Sequence, residues 1–82
     1  MEELLIENLL KVIVKELVKN PDAMSIETDS SASDGLIVYR VHVDESDMGR
    51  VIGKQGRIAK SIRQIVRAAA IKNNVRVAVE IG

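Results

Sequence analysis

Two glycines three residues apart, Gly53 and Gly56, interrupt what would otherwise read as one helix from Met48 to Lys72. Glycine weakens a helix interior and supplies the backbone conformations that end one. The pattern therefore predicts a short helix over 48–52, a four-residue link, and a second helix over about 57–72 that stops at Asn73-Asn74. A fold that accepts two helices joined so tightly must hold them against something else, and the rest of the chain supplies it. A first helix is expected from about Glu2 to Lys19, ended by Asn20-Pro21-Asp22, because proline disfavours a helical residue before it. Strands are expected over 25–29, 36–43 and 75–81. The first two form a hairpin across the polar loop Ser30–Gly35, where Asp34-Gly35 is a turn signal. In the last strand Val75, Val77, Val79 and Ile81 alternate with Arg76, Ala78 and Glu80. The order is α-β-β-α-α-β.

Eighty-two residues make one domain spanning 1–82. A chain so short buries only roughly 60–65% of the surface its unfolded form exposes. With no Trp or Phe, and Tyr39 as the only aromatic, aliphatic side chains must build the core. The absence of Cys excludes disulfides, and one His leaves a structural zinc site without ligands, so neither metal nor cofactor is expected. Glu7, Lys11, Lys15 and Glu16 interrupt the first apolar run, against a membrane span, and the acidic start is the reverse of a signal peptide. A soluble cytoplasmic protein is the expectation.

Several residues have two readings. The apolar stripe of the first helix (Leu5, Leu9, Val12, Ile13 and Leu17, with Ile6, Leu10 and Val14 beside it) is wider than one sheet contact needs. It is a helix packed deep in a small core, or part of it is a dimer surface. Ser46 or Asp47 is expected at the N-cap of the short helix. The competing reading, catalytic carboxylates in Asp44–Asp47, lacks a His or second acid cluster to work with. His42 is read as a strand-surface residue, and Tyr39 as core rather than an exposed ring.

Net charge is zero, yet its distribution is lopsided. From Met48 to Val79 there are eight basic residues (Arg50, Lys54, Arg57, Lys60, Arg63, Arg67, Lys72, Arg76) and no acid, whereas Met1–Asp47 holds four basic and eleven acidic residues. The second half is thus expected to present a face to a polyanion. On the 57–72 helix Ile58, Ile62, Ile65, Val66 and Ala69 share one side. Arg57, Lys60, Gln64 and Arg67 share the other, with Arg63 at the edge. Unpaired N–H groups at the start of that helix suit a phosphate, glycine at both ends of the link lets an anion approach, Lys54 adds charge and Gln55 a donor. Other phosphate loops fail on spacing. A Walker A loop needs four residues between Gly and Gly-Lys, whereas Gly49 and Gly53 are separated by three. A dinucleotide fingerprint needs GxGxxG in a βαβ unit. A helix-turn-helix for duplex DNA stays possible, though a helix opened by GxxG is unusual for one.

The stretch Val51-Ile52-Gly53-Lys54-Gln55-Gly56-Arg57-Ile58-Ala59-Lys60-Ser61-Ile62 resembles the core motif of KH domains, and the element order resembles their type II arrangement. The likeness covers nearly the whole chain and is strongest to the small single-KH bacterial proteins of the KhpA family. It implies an α+β fold whose three-stranded mixed sheet carries the helices on one face. It also implies single-stranded RNA binding as a general chaperone or post-transcriptional regulator, with no enzymatic activity and no small-molecule substrate. KH domains clamp about four nucleotides, with GxxG on the backbone. By resemblance, Gly53, Lys54, Gln55 and Gly56 hold phosphates, and Arg50, Arg57 and Lys60 add charge. Val51, Ile52, Ile58 and Ile62 form or support an aliphatic groove floor. The 36–43 strand is expected as one wall, with Arg40 or His42 reaching a base edge. A homodimer, or a heterodimer with another RNA-binding protein, is the expected assembly. The competing class is a KH-like module that docks on a protein partner without binding RNA.

Overall fold

The computed structural model describes residues 2–31 and 33–81, residues 2 and 3 by backbone alone. Helix α1 (Glu2–Leu17) stops short of Pro21, and strand β1 (Ser25–Asp29) follows a single turn of 3-10 helix over Pro21–Ala23. Strand β2 (Ile37–His42) returns antiparallel, with Asp29 opposite Val38 and Ser25 opposite His42. The loop between them is shaped by two aspartates: Asp29 Oδ1 accepts from the Ser31 N–H and Asp34 Oδ1 from the Leu36 N–H. Helix α2 (Met48–Ile52), the 53–56 link and helix α3 (Arg57–Lys72) come next. At the end of α3, Asn74 takes a left-handed conformation at φ 59°. There the Val75 N–H bonds Ala70 O and the Asn74 N–H bonds Ile71 O, a Schellman stop built on asparagine rather than glycine. The chain then re-enters the sheet as β3 (Val77–Ile81), parallel to β2.

The sheet order β1-β2-β3 puts β2 in the middle. Its Ile37, Tyr39 and Val41 are buried, and Val38, Arg40 and His42 point to the other face. The buried set joins Ile6, Leu10 and Val14 of α1, Val51 of α2, Ile62, Val66 and Ala70 of α3, and Val79 of β3 in one core. All three helices therefore cover one face of a mixed sheet and leave the other open, as the element order implied. Tyr39 is fully buried, a core residue.

The row that α1 buries is not the one at the centre of the expected stripe. Ile6, Leu10 and Val14 are sealed, and Ile13 and Leu17 lie partly buried against the same core. Leu5 and Val12 are 60% and 61% exposed, and Leu9 is half-buried. The helix is apolar over more than the arc the core can cover, so one flank faces solvent.

Candidate nucleic-acid interface

The link between α2 and α3 is held open by unusual backbone geometry. Gly53 has φ 76° and ψ 176°, a region essentially confined to glycine, and a Cβ there would lie 2.6 Å from Ile58 Cγ1. Gln55 and Gly56 follow at φ 58° and 73°, so three of the four loop residues are at positive φ. The N–H groups of Gly53, Gly56 and Arg57 are spent on Gly49 O, Gly53 O and Lys54 O, which fix this tight turn. Gly56 is the N-cap residue of α3, and no side chain caps that helix end. The turn thus closes on itself, and the positive end of a 16-residue helix dipole is what this helix start presents outward. The Gln55 conformation was not signalled by its residue type.

Around the loop, Lys54, Gln55, Arg57 and Lys60 are all exposed. Arg57 Nη2 donates to Gln55 Oε1 at 3.3 Å, which orients the two side chains without neutralising the cation. Among the described residues Lys54, Lys60 and Arg67 have no acidic partner. Arg50 differs, because its Nε lies 3.5 Å from Asp47 Oδ1. Of the four expected floor residues, Val51 and Ile62 are sealed in the core and support from beneath. Ile52 and Ile58 are partly buried and still reach the surface.

The strand expected as a wall, β2, does not lie at the sheet edge. Strand β2 is central and hydrogen-bonded on both sides, so the sheet edge beside α3 belongs to β3. Arg63 marks the meeting place, its Nε donating to Val79 O at 3.1 Å on the unpaired side of β3. Element order alone did not disclose this, although the helical wheel had put Arg63 at the border of the two faces.

Arg40 is not brought to the loop. It projects from the open face of β2, where its Nε donates to Glu80 Oε2 at 3.1 Å and its Nη1 lies 3.7 Å from Asp29 Oδ2. These carboxylates come from β3 and β1, so Arg40 cross-links all three strands on the face away from the helices. His42 is on that face too, with Nε2 2.6 Å from Glu27 Oε1 but without hydrogen-bond alignment. It is a strand-surface histidine facing an acid.

Asp47 holds the N-cap position of α2 as expected, but not the cap bond. Asp44, not Ser46 or Asp47, caps the turn over Glu45–Asp47, accepting from the Ser46 N–H and hydroxyl. Asp47 is 1% exposed, and its carboxylate accepts from the N–H groups of Lys19 and Asn20, each at 3.0 Å, and from Asn20 Nδ2 at 3.1 Å. The chain leaving α1 is thereby stapled to the start of α2. Those bonds, the Lys19 N–H foremost, hold the Asp47 carboxyl below the usual aspartate value against the opposing effect of desolvation. Among the described residues, no group of three or more His, Asp or Glu is placed to hold a metal ion, and no helix is long and apolar enough to cross a membrane.

Comparison with known proteins agrees with this geometry. The family described as KhpA/KhpB, KH domain, matches residues 7–81. The chain is 47% identical over 75 residues to RNA-binding protein KhpA of Clostridium acetobutylicum, covering 92% of this chain and 97% of that one. It is 51% identical over 73 residues to RNA-binding protein KhpA of Caldanaerobacter subterraneus subsp. tengcongensis, covering 89% and 95%. In fold it is similar to part of Aquifex aeolicus Era, seen in a crystal structure with GDP and aluminium fluoride, with a TM-score of 0.65 at 18% identity. That match covers 95% of this chain and 29% of Era. A glycine-bounded loop between two helices, an α-β-β-α-α-β order and a mixed three-stranded sheet coincide with a family match that spans almost every residue: the chain belongs to the KhpA/KhpB KH-domain family.

Proposed function

We propose that this chain binds single-stranded RNA without catalysing a reaction on it. The sugar-phosphate backbone rests on Gly53, Lys54, Gln55 and Gly56, with Arg57 and Lys60 beside it. Bases lie over Ile52 and Ile58 toward the open edge of β3, with Val51 and Ile62 as support below. Arg50, half-neutralised by Asp47, contributes less, and Arg40 contributes nothing. The observation that carries this reading is the loop itself. Three of its four residues are at positive φ, it opens a helix without a side-chain cap, and it is bordered by cations without acidic partners among the described residues. The relatives named as RNA-binding proteins point the same way.

A grip of about four nucleotides has little sequence preference and depends on salt. That suits a general RNA chaperone or post-transcriptional regulator working in the cytoplasm. Affinity would come from pairing two grips. The solvent-facing flank of α1, Leu5 and Val12 with half-buried Leu9, is the surface for a second RNA-binding chain, in the simplest case another copy. Light scattering that finds only monomer at high concentration would remove the homodimer.

Fluorescence anisotropy with an unstructured RNA at two salt concentrations tests the clamp. Wild type is compared with Lys54→Asp/Gln55→Asp, whose fold is checked by circular dichroism. Salt-dependent binding that the folded variant loses supports the clamp. A wild type that fails to bind, or a variant that binds equally well, shifts the function to protein docking.

A further inference from the structure

Helix α3 carries a row of side chains that runs on from Lys60, beside the clamp, to residues the clamp does not use. Arg63, Arg67 and Ile71 are four residues apart, and Lys60 lies three before Arg63, so all four share one flank. The Arg63 bond to Val79 O fixes that flank as the one facing β3. Followed away from the loop, it ends in an open depression of about 240 Å³ lined by Leu36, Arg67, Ala70, Val75, Arg76 and Val77, with Ile71 at its side. Ile71 is 69% exposed, and Leu4, Leu5, Val12 and Ile65 are all less so among the large apolar residues open to solvent. The depression is smaller than the roughly 300–1,000 Å³ of a small-molecule site. Its size and lining fit one portion of a longer ligand.

We infer that this depression is a second contact point for the same RNA strand, receiving a nucleotide beyond those held at the clamp. The inference rests on the RNA reading above. Arg67 is exposed and has no acidic partner among the described residues. Arg76 is held only loosely by Asp34, with Nη1 3.7 Å from the carboxylate and 3.4 Å from the carbonyl oxygen, both side chains more than half exposed. Two guanidinium groups flanking an aliphatic floor offer a phosphate its charge partners and a base both a guanidinium plane and an apolar seat. Continuity with the clamp selects RNA over an acidic peptide, because the row from Lys60 to Arg67 is cationic and no acid interrupts residues 48–79. Eleven residues separate Gly56 from Arg67, about 16 Å of helix. At a stacked rise of about 3.4 Å that is roughly five nucleotide steps. A strand of about four nucleotides on the clamp does not reach Arg67, and a strand of about twelve does.

RNA length therefore separates the two sites. Binding of unstructured RNAs of about five and about twelve nucleotides is measured by anisotropy for wild type, the Lys54→Asp/Gln55→Asp variant and Arg67→Ala/Arg76→Ala. In the arginine variant the short RNA should keep its affinity within about twofold. The long RNA should weaken roughly five- to twentyfold at low salt. The salt slope for the long RNA should flatten by up to about 1.4, two phosphate contacts at about 0.7 each. Asp34→Asn keeps the Oδ1 acceptor for the Leu36 N–H while freeing Arg76, so it should tighten the long RNA alone. Unchanged affinity for the long RNA in the arginine variant, or an equal loss at both lengths, overturns the second contact point. That outcome leaves the clamp standing if the loop variant still loses both RNAs. A loop variant that binds like wild type defeats the clamp itself.

Discussion

The two faces of this molecule use the same residue types to opposite ends. On the open sheet face Arg40 is shared between Asp29 and Glu80, and His42 faces Glu27. On the helix side Lys54 and Lys60 stand without acidic partners among the described residues, beside the positive end of the α3 dipole. A cation whose field is already matched by two carboxylates offers a phosphate little and must shed those partners to take one. An unmatched cation has no partner to shed. Local charge pairing, not the number of basic residues, thus decides which face serves a polyanion. A net charge of zero is compatible with nucleic-acid binding once the acids are segregated.

The largest effect should come from Gly53. Gly53→Ala places a Cβ 2.6 Å from Ile58 Cγ1 and 2.9 Å from Ile58 Cβ, at a backbone conformation foreign to alanine. Stability measured by urea denaturation should fall by about 2–3 kcal/mol, and RNA affinity should drop at least about tenfold because the loop must reshape. Gly49→Ala is the control: it lies within α2 with nothing within 4 Å of its would-be Cβ, so it should be neutral or gain about 0.5–1 kcal/mol. Equal effects of the two substitutions would mean that the loop conformation is not required.

Next in size is Lys60→Glu. Reversal of an unpaired cation one turn into α3 should weaken RNA binding about tenfold at low salt, without altering the circular dichroism spectrum. The salt slope should flatten by about 0.7 or more. A loss that persists undiminished at high salt would point to a contact other than phosphate.

How much of this was readable beforehand differs between local and long-range features. The bounds of α2 and α3 were legible because Gly53, Gly56 and Asn73-Asn74 act on the backbone within a few residues. The loop cations were legible because their solvent-facing positions follow from helical spacing. Strand order was not: nothing in the run 75–81 says that it pairs parallel to β2 and takes the edge beside α3. Hence β2 was expected beside the groove although β3 takes that edge. Alternation did place Arg40 opposite Ile37 and Tyr39, but not its pairing with Asp29 and Glu80 on the face away from the helices. In α1 the buried row Ile6–Leu10–Val14 was noted only as a neighbour of the chosen stripe, since a helix apolar over so wide an arc does not name its own inner face. Asp47 read as a cap because its true donors, at Lys19 and Asn20, come from 28 and 27 residues away.

Asp47 supplies a smaller test, one that separates stability from binding. Its carboxyl is held low in the folded chain, chiefly by the Lys19 N–H, whereas the unfolded chain titrates near the ordinary 3.8. Both forms are ionised at neutral pH and the stabilisation is complete there. As pH falls through about 4, the unfolded chain takes up the proton first, and the contribution is lost once the folded carboxyl is protonated as well. Asp29, lowered first by its hydrogen bond from the Ser31 hydroxyl, adds in the same direction. Melting temperature should therefore decline from about pH 5 downward, and less steeply in Asp47→Asn. At pH 7 that variant should melt several degrees lower, yet well below its melting point bind RNA at least as tightly as wild type, because Arg50 is no longer matched by a carboxylate. A pH profile identical to wild type would show that the staple between α1 and α2 does not depend on the charge.

The smallest expected effect is the sharpest probe of the two-face comparison. Arg40→Ala removes a basic residue, and if affinity followed net charge it would weaken RNA binding as Lys60→Ala does. The geometry predicts otherwise. The lost guanidinium faces away from the helices and leaves Asp29 and Glu80 unmatched on the far side of the sheet, where intervening protein and salt screen them from the clamp. RNA affinity should stay within about twofold of wild type, and stability should change by no more than about 1 kcal/mol, as for an exposed ion pair. Side-by-side titrations of Arg40→Ala and Lys60→Ala at the same ionic strength decide the matter, since each removes one positive charge. If the two lose affinity equally, the protein attracts RNA as a diffuse charge and the partnering of individual side chains is irrelevant. If only Lys60→Ala does, Arg40 is kept out of the interface by its place on the open sheet face, where Asp29 and Glu80 match it.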